Sequence, residues 1–121
     1  MPFASIIAKG RFMNANDRFH TIIDFRNKPI RLYDHTIEHI KQSHPEIKNP
    51  LLFVTDILKS PVIITEDELP NTEIYHKRAR KPLVHVAYVE VVKNFVKSSH
   101  ISDKIKGGNI KWFAETKDIF S

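Results

Sequence analysis

No cysteine occurs in this chain of 121 residues. Its absence removes disulfide frameworks, thiol nucleophiles and zinc sites built on thiolate, and it leaves the redox compartment open. Long apolar runs are missing too: no stretch approaches the roughly 20 residues that a membrane helix needs. Residues 1–8 lack the charged start and long apolar centre of a signal peptide. A cytoplasmic address with no membrane partner is therefore the expectation. There is no internal repeat and no low-complexity segment. What is present, 41% hydrophobic and 27% charged residues, lies near the globular norm and argues for one folded domain over residues 1–121.

Acidic residues are scarce in one part of the chain. Residues 1–73 carry 9 Lys and Arg against 10 Asp and Glu, a net −1; residues 74–121 carry 10 against 4, a net +6. The overall +5 is thus concentrated in the last two-fifths. Such an asymmetry suits a polyanion, nucleic acid above all, with a solvated basic surface as the plain alternative.

Periodicity gives the layout. Residues 19–25 are rich in β-formers and lead through Arg26-Asn27-Lys28-Pro29, a turn sequence, into Ile30-Arg31-Leu32, which reads as a hairpin. Asp34 is the expected N-cap of a helix over residues 35–43 that Pro45 ends at His44. Asn49 with Pro50 repeats the start signal, and Leu51, Val54 and Leu58 give the second helix its apolar face. The period then changes to two: strands are expected over 62–65, 74–78 and 83–92, with an acidic loop over 66–72. Lys93-Asn94 reads as a two-residue hairpin turn. That register sets Glu90 opposite Lys97, Val89 opposite Ser98, Tyr88 opposite Ser99 and Ala87 opposite His100, with Val89, Val91, Val96, Ser98 and His100 sharing a face. The expected class is α+β, two N-terminal helices packed against a mainly antiparallel sheet.

The candidate chemistry lies in histidines. His39 and His44, five residues apart at the end of the first helix, supply imidazoles that titrate near neutral pH and can move protons without a metal. His35 and His39 have a spacing that suits a metal, but no third ligand matches it, so no metal or cofactor is expected. Among aromatics, Tyr75, Tyr88, Phe95, Trp112 and Phe113 can stack bases, although strand spacing makes core the simpler reading for most.

Several of these strings together carry a resemblance. Ile30-Arg31-Leu32, the helix with His39-Ile40 and His44-Pro45-Glu46-Ile47, Ile57 through Pro61, Tyr75-His76-Lys77-Arg78, the segment over residues 95–108 and Trp112 resemble the phage-associated nuclease domains of the BECR superfamily (barnase, EndoU, colicin tRNases, RelE). Ser43 stands where Arg is frequent, Ser98 for Thr, and His100 for Tyr. The likeness covers residues 30–112 and leaves 1–29 as an N-terminal extension or hairpin.

It implies a toxin-like, metal-independent endoribonuclease of a phage or mobile element that attacks RNA through its own 2′-hydroxyl. His39, His44 and His100 would be acid and base, Arg78 and Ser98 would bind the scissile phosphate, and His76, Lys77, Lys104 and Lys106 would hold substrate. The implied partners are RNA, either tRNA or mRNA, and an antitoxin or immunity protein. The bland readings are a helix surface for His39, a turn for His44, a salt bridge to residues 66–68 for Arg78 and a solvated turn for Lys104 and Lys106. A nucleic-acid- or protein-binding module on the same fold, without turnover, is the alternative function.

Overall fold

A computed structural model describes residues 18–114. The expectations for residues 1–17, including the absence of a leader, lie outside the described residues. The elements follow in the order β1 (Phe19–Ile23), β2 (Pro29–Tyr33), α1 (Asp34–Ser43), α2 (Pro50–Lys59), β3 (Ile63–Glu66), β4 (Thr72–Arg78), β5 (Val84–Glu90), β6 (Phe95–Ser102) and β7 (Ile110–Phe113). The strands form one sheet in the order β1-β2-β6-β5-β4-β3-β7. Its pairings are antiparallel except β2 with β6, which meet in parallel through Arg31 and Phe95. The class is α+β, with two helices on a mostly antiparallel sheet. Among the described residues no helix is long and apolar enough to cross a membrane.

The hairpin β1–β2 closes on a turn in which Asn27 takes φ 66°. The buried Asp24 carboxylate accepts the Arg26 and Lys28 amides at 2.8 and 2.9 Å and the Tyr75 hydroxyl at 2.9 Å. One side chain therefore shapes the turn and ties it to β4 in the core, where burial and the Asp24 contact raise the Tyr75 phenol well above its ordinary pKa.

Helix α1 begins one residue earlier than expected. Tyr33 is its N-cap without a side-chain bond, and Asp34 sits in the first turn, paired with His20 at 3.2 Å. The carboxylate still complements the positive end of the helix, through the dipole rather than as a cap. The C-terminal end agrees with the sequence: the helix stops at His44, before Pro45. In α2 the cap is as expected, Asn49 Oδ1 accepting the Leu52 amide at 3.1 Å ahead of Pro50. Val54, Ile57 and Leu58 are fully buried, while Leu51 is only partly so. The two helices cover one face of the sheet, where Ile30, Leu32, Ile64, Tyr75, Ala87, Val89 and Val96 complete the core.

The β5–β6 connection differs from the expected two-residue turn, and the difference controls the site. Residues 91–94 form a four-residue loop, so Glu90 faces Phe95, with Asn94 at φ 59°. The loop is held by the Lys93 amide on Glu90 Oε1 at 2.6 Å and by the Val91 amide on the Asn71 carbonyl at 2.9 Å. The Glu90–Lys97 pair does not form, and Lys97 Nζ reaches Thr72 Oγ1 at 3.1 Å instead. A bulge at Lys97 then shifts the ladder: Val89 pairs with Val96, but Tyr88 pairs with Ser98, Ala87 with Ser99 and Val86 with His100. One extra residue inverts the alternation. Val89 and Val96 point into the helix-covered core, whereas Ser98 and His100 lie on the opposite face.

Candidate functional site

The face away from the helices is divided by a strap, residues 103–108, that folds back over β3 and β4. Its anchor is His76, which has no exposed surface. His76 Nε2 accepts the Lys106 amide at 2.9 Å, which puts the ring proton on Nδ1, 3.2 Å from the Ile63 carbonyl oxygen. Thr65 Oγ1 donates to the Lys106 carbonyl at 2.6 Å, and Gly108 N to the Glu66 carbonyl at 2.8 Å. Gly107, at φ +88°, lies so close to the sheet that an added Cβ would strike Thr65 Oγ1 and come within 2.8 Å of the Glu66 carbonyl oxygen. Glycine meets both demands, positive φ and close approach.

Beside the strap the sheet face is open. Helix α1 packs against β6, and His44, which follows its last residue, meets His100 of that strand. The His44 and His100 rings stack with centroids 5.7 Å apart and planes 26° off parallel. Tyr88 stacks on His100 at 5.6 Å and 24°. Burial lowers the His100 pKa from its ordinary 6.5, and nearby positive charge on His44 and Lys106 lowers it further. At neutral pH His100 is therefore an unprotonated imidazole able to accept a proton. Its ring engages in aromatic contacts and makes no hydrogen bond among the described residues. His44 Nδ1 lies 3.7 Å from Glu46 Oε2, an ion pair whenever that ring is protonated. Tyr88 and Lys106 also line a cleft of about 330 Å³, bounded on its far side by Asp67 and Glu68. Burial, then the Asp67 charge, raises the Tyr88 phenol, which stays protonated as a hydrogen-bond donor.

The expected site residues divide accordingly. His44, His100, Ser98 and Lys106 come together, Ser98 lying half-buried on the same face, opposite Tyr88. His39 does not join them: it is exposed on α1, its ring 3.5 Å from Ser43 Oγ. Arg78 lies two strands and one row from His100, roughly 12 Å between Cα positions at ordinary sheet spacing. There it lines a second cleft, of about 390 Å³, with Lys81, Asp103 and Lys104. Two expected substrate contacts are corrected. His76 is enclosed and both its ring nitrogens serve backbone groups. Lys77 points to the helix side, where Nζ meets Asp56 Oδ2 at 2.8 Å. In both cases a strand's alternation had to be resolved before exposure could be assigned.

Two members were missed. Tyr88 is one of the aromatics for most of which strand spacing makes core the simpler reading, because β5 is apolar on both faces and its period does not reveal which is open. Glu46 stood in view beside His44, yet nothing in its spacing specified that the chain would turn back at Pro45 and bring the carboxylate to the ring.

Among the described residues no three His, Asp or Glu side chains converge closely enough to hold a metal ion. Comparison with family models, with characterised proteins and with solved structures gives no significant match to this chain.

Proposed function

We propose that the chain is a metal-independent endoribonuclease of the BECR type, toxin-like in its economy, that cleaves RNA by transesterification. The observation that carries this reading is the meeting of His44 and His100, 56 positions apart in sequence, as a stacked pair in which His100 is held unprotonated. A base and an acid side by side are what the reaction requires.

In this mechanism His100 takes the proton of the 2′-hydroxyl as the 2′-oxygen attacks the adjacent phosphorus. The bond from phosphorus to the 5′-oxygen breaks, and protonated His44 gives its proton to that oxygen. The products are a 2′,3′-cyclic phosphate and a free 5′-hydroxyl. Lys106 offsets the charge that grows on the phosphorane, and Ser98 and the Tyr88 hydroxyl donate hydrogen bonds to its oxygens. Asp67 and Glu68 repel phosphate from the far side of the cleft, so the backbone enters from the His44 side. Arg78 and Lys104, farther along the face, suit a neighbouring phosphate rather than the scissile one.

The test is incubation of the protein with total RNA in EDTA, beside His44→Ala and His100→Ala, with analysis of the fragment ends. Cyclic phosphate ends from the wild type, strongly reduced in both variants, are expected. Intact RNA from folded wild type, across total RNA and a tRNA pool, would overturn the reading in favour of a binding module.

A further inference from the structure

A second group of aromatic rings stands on the same sheet face, at the β1–β2–β6 corner. Phe19 packs edge-on against Tyr33 at 5.4 Å, Tyr33 against Phe95 at 6.3 Å, and the His35 ring stacks on Tyr33 at 5.5 Å and 22°. The Arg31 guanidinium lies 5.6 Å from the Phe19 centroid and 5.7 Å from that of Tyr33, fixed by its bond to the Lys93 carbonyl at 2.8 Å. Phe19 is 40% exposed and His35 is exposed. These rings lie outside the helix-covered core. Two exposed rings, Phe19 and His35, backed by the half-buried Tyr33 and Phe95 with a guanidinium fixed among them, form an arrangement on which bases of single-stranded nucleic acid stack.

Charge supports the same ligand. Arg31, Lys93 and Lys97 lie on or beside the cluster, while its two carboxylates are engaged, Asp34 with His20 and Glu90 with the Lys93 amide. The bulge at Lys97 sets the direction. It places Phe95 and His100 on one face of one strand, five residues apart, or roughly 17 Å at ordinary strand rise. A few nucleotides of extended chain cover that span.

We propose that Phe19, Tyr33, His35, Phe95 and Arg31 form a base-stacking subsite that selects single-stranded RNA and threads it toward His44 and His100. The proposal rests on the ribonuclease reading and names its substrate class. A duplex is excluded because its base faces are already stacked and hidden from side chains.

The experiment measures fluorescence anisotropy of a 2′-O-methyl oligoribonucleotide of about 12 nucleotides, a length within the range that stacking grooves cover. This probe lacks the 2′-nucleophile, so wild-type protein binds it without turnover. The strand is presented alone and annealed to its complement. The wild type should prefer the single strand, and the Phe19→Ala/His35→Ala double variant should bind it at least about tenfold more weakly. Phe19→Trp, which keeps a ring, should retain affinity, and thermal melts of each variant verify the fold. If the double variant misfolds, His35→Ala alone gives the same reading with a smaller loss.

Unchanged affinity in the folded variant, or equal affinity for duplex and single strand, would overturn the subsite. The ribonuclease reading is decided separately by cleavage of unmodified RNA. Ring-dependent binding without cleavage would sink that reading and leave the subsite standing; cleavage with ring-independent binding would do the reverse.

Discussion

His76 and His100 stand on the same face of the sheet, on the strands either side of β5, each level with Val86. Burial depresses the pKa of both. Yet His76 lies beneath the strap with both ring nitrogens committed to the backbone, while His100 is partly exposed, stacked against the His44 and Tyr88 rings, with no hydrogen bond on its nitrogens among the described residues. What separates a structural histidine from a candidate base is therefore the unspent capacity of its nitrogens. A depressed pKa alone does not distinguish them.

The largest effects come from exchanging the two positions in mutagenesis. His100→Ala, like His44→Ala, should lower kcat/KM for RNA cleavage by about 10²–10⁴-fold, the usual worth of a positioned acid or base. Its urea midpoint should change little. His76→Ala should invert this pattern, losing about 2–4 kcal/mol of stability in urea denaturation, because a cavity opens and the Lys106 amide loses its acceptor. A large activity loss in His76→Ala with unchanged stability would break the comparison.

Gly107→Ala tests the roof itself. The strained φ and the contacts with Thr65 and Glu66 should cost about 1–3 kcal/mol and loosen the strap. Hydrogen exchange at the Lys106 amide would report it directly.

Acid should act on both histidines in one direction. A histidine whose folded pKa lies below the unfolded 6.5 binds protons more readily in the unfolded chain. Its stabilisation is complete above pH 6.5 and is lost as the pH falls through the folded value. The urea midpoint should thus be lower near about pH 5 than near about pH 7.5, and the difference should shrink in His76→Ala. The smallest effect sharpens the His100 assignment. Removing the Lys106 charge in Lys106→Ala lets the His100 pKa rise, so the acidic limb of the kcat/KM profile should move to higher pH.

Much of the fold was legible in residues whose meaning is local. Pro45 stops α1, Asn49-Pro50 starts α2 and Asn27 allows the hairpin turn, since each acts on backbone angles within a few positions. The β5–β6 register was not legible. Glu90 and Lys97 offered a pairing that looked self-consistent, and burial of Val89 against Val96 with a bulge at Lys97 prevailed, because a packed apolar pair outweighs a surface ion pair. The same shift moved His100 to the face opposite Val96 and made a site the expected register could not have formed.

By itself the sequence determined the class of fold, the order of its elements through β6 and the supply of imidazole and cation, because periodicity, caps and composition are properties of neighbouring residues; β7, four residues at the sheet edge, was not legible. Tertiary structure decided which histidines meet. His39 and His44 are near in sequence and not joined in space, whereas His44 and His100 are joined by the packing of α1 along β6. His76 and His100 share a face, and the strap covers the first and not the second. Those outcomes depend on contacts between distant segments, where one extra residue in a strand reverses every side chain beyond it.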